Sequence, residues 1–239
     1  AAIVLFHRPF PLQPDLMILL FEVGTSVWFA AFVGQALLKR GRWSLLMFFG
    51  VTFLYGMILE NTGIIMRFFF ETGYHFYLGQ LPAPLCTMMG WPIVFYVMFS
   101  LTERFASWWQ WLRPRAWARA VTVTALALCF DAQMDPLASL SGIFWRWNQT
   151  LVPVYLGVPV LNFVAWVGAV LPFGWMLFRL LDREGLSPAQ KNYQLLLRLW
   201  LASLYGGLLC FAIMAMIEGG FHGATYRILG DFFLRLLPY

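Results

Sequence analysis

Long apolar runs, separated by short polar or basic stretches, dominate the chain. Six of them read as membrane-spanning helices near residues 15 to 38, 43 to 66, 83 to 102, 116 to 133, 157 to 180 and 194 to 218, the fourth being the shortest. About 20 apolar residues cross a bilayer as a helix, because only a helix or a closed barrel satisfies its own backbone hydrogen bonds in hydrocarbon. Continuous runs, rather than short alternating segments, exclude an outer-membrane barrel. After the last run the period changes. Arg227, Asp231 and Arg235, spaced by four, stand opposite Phe232, Phe233 and Leu236, which predicts an amphipathic helix lying on the membrane surface. The pattern therefore predicts an all-α, polytopic integral membrane helix bundle. It is a single transmembrane domain over residues 1–239, with about six transmembrane helices, long aromatic outer connections and a C-terminal interfacial helix. No soluble domain, low-complexity linker or cleavable signal pattern is visible, and the opening AAIVLF is compatible with the stub of a processed or truncated segment.

Composition strengthens this reading. Hydrophobic residues make up 61% of the chain and charged residues 11%, against roughly 25% charge in soluble domains. The net charge of +5 is unevenly distributed. Lys39, Arg40 and Arg42 follow the first span, Arg104, Arg113, Arg115 and Arg119 the third, and Arg179, Arg183, Lys191 and Arg198 surround the gap after the fifth. Only Arg8, Arg67, Arg146, Arg227 and Arg235 lie elsewhere. Positive charge marks cytoplasmic loops, so both termini are expected outside. The basic balance thus reports topology, not nucleic-acid binding. Cys86, Cys129 and Cys210 lack metal-ligand spacing and read as small packing residues. Cys86 and Cys129, near the outer ends of spans three and four, leave a disulfide open.

On this topology the acids within or at the edge of spans gather toward the outer side. Glu22 lies about a third of the way into span one, Glu60 ends span two, Asp131 and Asp135 end span four one turn apart, and Glu218 ends span six. Asn61 and Asn162 sit at comparable depth, and His222 follows Glu218. A carboxylate in hydrocarbon is costly, so its repetition on one side suggests a site. Each has a competing account. Glu22, beside Gly24, Thr25 and Ser26, suits a helix-packing contact. Glu60 stands between Gly56 and Gly63, in a small-residue groove. Asp135 precedes Pro136 and would end the helix there, and Glu218, next to Gly219 and Gly220, suits an interfacial charge. Arg67 and Arg146, in outer connections otherwise poor in cations, are candidates to neutralise these acids; Arg67 also stands four before Glu71, where a surface pair is the alternative. Glu103, Asp182 and Glu184 lie in basic loops as ion-pair partners. His7 and His75 read as interfacial side chains without a role.

An internal echo runs through residues 43–102 and 116–180. In each, a helix ending in a carboxylate leads through an aromatic connection with Tyr-Leu-Gly to Gly-X-Pro, namely Gly90, Trp91 and Pro92, then Gly157, Val158 and Pro159. The two motifs abut only in the second copy. A parallel repeat would bring both carboxylate ends to one surface. The rings between them, Phe68, Phe69, Phe70, Tyr74, Phe76 and Tyr77 in one connection and Phe144, Trp145, Trp147 and Tyr155 in the other, suit either an aromatic belt or the wall of a pocket for a long apolar ligand.

LENTG at 59 to 63, TGYHFYLG at 72 to 79, FDAQMDP at 130 to 136, and FWRW followed by YLGVPVLNFVAW at 155 to 166 carry a resemblance. Over residues 55 to 175 the chain resembles the membrane carotenoid hydratases of bacteria and archaea, which include acyclic carotenoid 1,2-hydratases and bacterioruberin-type hydratases. Two departures stand out: FETGYHFY replaces a Gly-x-Pro-Phe-Gly-x-Tyr-like run, and Trp91 occupies the middle of a usual Gly-Val-Pro, where its bulk would reshape a pocket. The resemblance implies addition of water to a terminal double bond of an acyclic carotenoid, without redox cofactor, nucleotide or metal, in the inner (cytoplasmic) membrane of a bacterium. It further implies that a protonated carboxyl protonates the alkene, a second carboxylate directs water, and aromatic faces steady the cation. Asp131 is assigned as acid and Glu60 as assisting carboxylate, with these roles exchangeable. Asp135 and Asn162 position water, and Trp145, Trp147 and Tyr155 line the cation site, with Arg146, Tyr74, Tyr77, Trp91 and Asn61 around the substrate. The partners expected are membrane lipid, a carotenoid or other long apolar ligand, and membrane proteins. A non-catalytic carotenoid-, quinone- or lipid-holding subunit of a larger membrane complex, for instance a photosynthetic one, is the alternative. A prenyl transferase using Asp131 and Asp135 to hold magnesium lacks a second acidic motif, and a transporter lacks polar groups continuing to the cytoplasmic side.

Overall fold

The computed structural model describes residues 13–236 apart from Thr72 and Pro153. AAIVLF, His7 and Arg8 lie outside the described residues, as does the side chain of Leu236.

Helix α1 (Pro14–Leu45) runs through a π-helical segment, Leu46–Val51, into α2 (Thr52–Ile65). The run is not straight. Gly41, at φ 77° and ψ 174°, breaks it, and only glycine enters that region freely. Phe29 and Phe53 would stand about 36 Å apart on a straight helix, yet their ring centroids are 6.4 Å apart. The chain therefore doubles back at Gly41, and α1 lies beside α2. A short strand β1 (Phe69–Phe70) leads to α3 (Leu85–Trp108), and α4 (Ala116–Ser141) follows. Next come β2 (Arg146–Trp147), β3 (Val154–Tyr155), β4 (Val158–Pro159) and α5 (Val160–Leu181), then α6 (Pro188–Leu197), α7 (Leu199–Ile217) and α8 (Ala224–Leu236).

The fold is all-α apart from these two-residue strands. Four helical stretches are long and apolar enough to cross a membrane: Pro14–Ile65, Leu85–Trp108, Val160–Leu181 and Leu199–Ile217. The bend at Gly41 divides the first. Helix α4 is long as well, but it carries Asp131 and Asp135 and is less apolar. Proline 136 does not end it. The helix continues to Ser141 and stops where Gly142 takes the left-handed conformation (φ 65°), a common helix terminus. The sixth apolar stretch also differs from its expected bounds, because the chain leaves helical geometry at Arg198 and α7 starts only at Leu199.

Aromatic rings fill the core between α2, α3 and α5. Tyr55 stacks on Phe173 at 4.9 Å, and its hydroxyl donates to the Ala169 carbonyl at 2.9 Å. Phe95 and Phe99 pack against the same ring of Phe173. On the other side of α5, α7 approaches so closely that a Cβ added to Gly168 or Gly206 would run into the partner's carbonyl oxygen. At one end of the bundle Arg40 pairs with Glu103 at 2.7 Å and Arg119 pairs with Asp182. Arg119 is buried rather than at the surface.

The opposite end is tied by backbone pairing. Strand β1 pairs antiparallel with β2, Phe69 opposite Trp147 and Phe70 opposite Arg146, while Asn148 donates from its amide and side chain to the Phe68 and Arg67 carbonyls. The connections after α2 and α4 are thus joined. Their suspected equivalence is looser: Pro159 directly precedes α5, after a hairpin turn at Leu156 (φ 47°) and Gly157 (φ 82°). In the other copy Pro84 precedes α3 and Pro92 lies inside it.

Candidate functional site

A cavity of about 560 Å³ opens where these joined connections cover α2, α3, α4 and α5. That volume lies within the roughly 300–1,000 Å³ of small-ligand sites. Three carboxyl groups line it: Glu60, Glu71 and Asp135. Tryptophans 91, 145, 147 and 166 supply much of its wall.

Glu60 stands on α2, one turn after Gly56. The indole of Trp91 on α3 lies against Gly56 so closely that an added Cβ would overlap it. From there Trp91 donates its Nε1 hydrogen to Glu60 Oε1 at 2.6 Å and stacks on Trp166 of α5 at 4.5 Å. Glu71 comes from the chain just after β1, and its Oε2 accepts from Thr87 Oγ1 in the first turn of α3 at 3.2 Å. It lies outside the spanning helices. Burial holds its carboxyl well above the ordinary carboxylate range, the nearby Glu60 carboxylate adds to this, and the Thr87 hydrogen bond opposes it.

Asp135 belongs to a second polar unit. Asn162, in the first turn of α5, donates from Nδ2 to Asp131 Oδ2 at 2.9 Å and to Asp135 Oδ2 at 2.6 Å. Asp131 and Asp135, one turn apart on α4, thereby share one donor. Asp135 and Asn162 reach the cavity, whereas Asp131 is fully buried outside its lining. Asp131 Oδ1 has no hydrogen-bond partner. Among the described residues no group of three His, Cys, Asp or Glu side chains is arranged to hold a metal ion.

A family model described as carotenoid biosynthesis protein matches residues 16–229. The chain belongs to this family. No curated protein and no solved structure matches it. Membership assigns it a role in carotenoid biosynthesis, and its apolar helices make it a membrane protein.

In this carotenoid biosynthesis protein the cavity brings together Glu60, Asp135, Asn162, Trp91, Trp145 and Trp147 from the residues that the sequence singles out. Trp147 is fixed by donating to Ser139 Oγ at 2.8 Å. Several others stand apart. Tyr74 is buried beside the cavity, its hydroxyl donating to the Phe144 carbonyl. Tyr77 and Tyr155 are exposed, Tyr155 packing on Phe163. Asn61 holds the chain entering α3, accepting from the Ala83 amide at 3.1 Å.

Neither Arg67 nor Arg146 forms an ion pair among the described residues. Arg146 is exposed and turns back onto the Gly142 carbonyl, and Arg67 occupies the left-handed turn after α2 (φ 63°). Glu22 is buried but serves its own structure, accepting from the His75 and Phe76 amides at 2.9 Å each and contacting His75 Nδ1 at 2.8 Å. His75, expected to have no role, is therefore the partner of a buried acid. Glu218 accepts from Thr225. All three cysteines are free, Cys86 and Cys210 buried and Cys129 exposed.

Glu71 is not marked as a site residue by the sequence pattern. Spacing of four from Arg67 suggested a surface pair, but α2 ends at Ile65, so helical spacing no longer applies. The available signal was an acid directly after three phenylalanines.

Proposed function

We propose that this protein hydrates a terminal carbon–carbon double bond of an acyclic carotenoid by acid catalysis. The observation carrying this reading is one tryptophan-walled cavity that receives Glu60, Glu71 and Asp135 from separate segments of the chain. Adding water to a trisubstituted alkene needs a proton delivered to the less substituted carbon, leaving a tertiary cation. Water then bonds to that cation and loses a proton to a base. No net proton is consumed.

Glu71 suits the donor, because burial favours its protonated form. Glu60, oriented by Trp91, is the adjacent carboxyl that takes part in returning the proton. Asp135, held by Asn162, suits the base that directs water. Asp131, which the sequence offered as the acid, instead orders this pair from behind Asn162. The indole faces lining the cavity are suited to stabilising the cation. For the membrane arrangement we read α4 as a further span, since its carboxylates turn into the protein rather than toward lipid. This gives about six spans, with both termini outside a bacterial inner membrane.

Expression in cells that accumulate an acyclic carotene tests the reading. A product heavier by one water is expected, and Glu71→Gln or Asp135→Asn should lower its yield by about 10²–10⁴-fold, the range for general acid–base groups. Unchanged yield in the Glu71→Gln, Asp135→Asn double variant would falsify the assignment. Retained pigment without any hydrated product would favour the pigment-holding alternative.

A further inference from the structure

The cavity is incompletely walled between α2 and α7. Helix α7 packs along α5, and α2 packs along α3, but among the described residues no comparable packing joins α2 to α7. Thr62 on α2 and Ala165 on α5 both line the cavity, and both are exposed. The exposure of Ala165 is informative because α5 is otherwise largely buried, with 61% of its most apolar window inside the protein. On α7 four of the cavity-facing residues are small, Ser203, Gly206, Gly207 and Cys210, and Phe211 is the one large side chain among them. A Cβ at Gly207 would meet nothing within 4 Å, which marks open space there.

All three helices belong to apolar stretches, so the opening faces hydrocarbon rather than water. We infer that the gap between α2 and α7 is a lateral entry for an acyclic polyene, whose end group reaches the carboxylates while the rest of its chain stays in the bilayer. This rests on the proposed substrate class and adds the route and binding mode. The gap runs past small side chains on α7 with Phe211 beside them, which favours a slender chain over a bulky ring. The same geometry explains how a cavity of about 560 Å³ could act on a molecule comparable in length to the roughly 30 Å hydrocarbon core.

Purified full-length protein in phosphatidylcholine nanodiscs loaded with an acyclic carotene provides the test, with bound pigment measured after unbound carotene is removed. Gly207→Trp and Ala165→Trp should each lower retention by about tenfold or more, equivalent to about 1.4 kcal/mol of binding. Leu208→Trp, an exposed position outside the cavity lining, should bind as the parent does. Melting temperature identifies variants that fail to fold, in which case Thr62→Trp narrows the gap from the other side. Undiminished retention in folded blocking variants overturns the entry, as does recovery of phospholipid alone from the parent protein. Retention that is blocked as expected, without hydrated product, leaves the entry standing and removes the catalytic reading instead.

Discussion

Replacing Asn162 with leucine isolates the interaction that orders the α4 carboxylates. The two side chains share the same branched skeleton, leucine being the bulkier, so the principal loss is the Nδ2 donor that serves Asp131 at 2.9 Å and Asp135 at 2.6 Å. Side-chain hydrogen bonds within membranes average about 0.6 kcal/mol and reach about 1.7 kcal/mol. Two such bonds set a lower range of about 1–3 kcal/mol, and stranding a buried acceptor adds to it, since an unsatisfied polar group costs about 1–3 kcal/mol. Asp131 has little reserve, because its Oδ1 already lacks a partner. The lost bonds and the stranded acceptors partly count the same interaction, so a loss of about 2–4 kcal/mol is expected. For a chain of this size each kcal/mol moves the melting temperature by about 2–4 °C, so Asn162→Leu should melt roughly 4–16 °C lower. Thermal unfolding in nanodiscs, followed by tryptophan fluorescence, measures it. A double-mutant cycle with Asp131→Leu separates the shared interaction from the cost of each substitution and should give a coupling of about 0.5–3 kcal/mol. A destabilisation no larger than a surface change, about 0.5 kcal/mol, together with additivity in the cycle, would refute the reasoning.

Four further outcomes follow from the same geometry. Because burial raises Glu71 above its unfolded value, its contribution to stability is full below the ordinary carboxylate range and is lost as pH rises through the raised value; Glu71→Gln should flatten that decline, as read from melting temperature against pH. Gly56→Ala should displace the Trp91 indole and its bond to Glu60, lowering hydration by up to about a hundredfold alongside an overpacking cost of about 1–3 kcal/mol, and unchanged hydration in protein that still folds would contradict a positioning role. Gly168→Ala should force α5 and α7 apart at about 1–3 kcal/mol, a typical overpacking cost, measurable by thermal unfolding. Glu22→Leu should release the His75 and Phe76 amides, and hydrogen exchange at those two positions should speed by about tenfold or more, as expected for loss of charge-assisted bonds worth about 1.5–3 kcal/mol.

The pattern of what was legible follows from what hydrophobicity can specify. Hydropathy gives a residue's depth along a spanning helix, and the apolar stretches accordingly recur as helices near their expected positions. It gives little about rotation around the axis, because helices apolar on every side have no distinct face. Acids are the exception. A carboxylate is too costly to turn toward lipid, so depth and chemistry together direct Glu60, Asp131 and Asp135 inward. Tryptophan and tyrosine carry no such penalty, and rings at one depth divide accordingly: Trp145 and Trp147 reach the cavity, while Tyr77 and Tyr155 remain exposed. Inward orientation does not by itself mean one destination. Glu22 is held by the His75–Phe76 backbone, and Glu218 Oε1 by Thr225 while its buried Oε2 has no partner. Nor does depth locate Glu71, whose place follows from β1 pairing with a strand almost eighty positions later in the chain. That pairing also brings Trp147 opposite Phe69. The cavity is consequently a property of two joined connections, and helix periodicity alone could supply the carboxylates on α2 and α4 but not the cover that places Glu71 beside them.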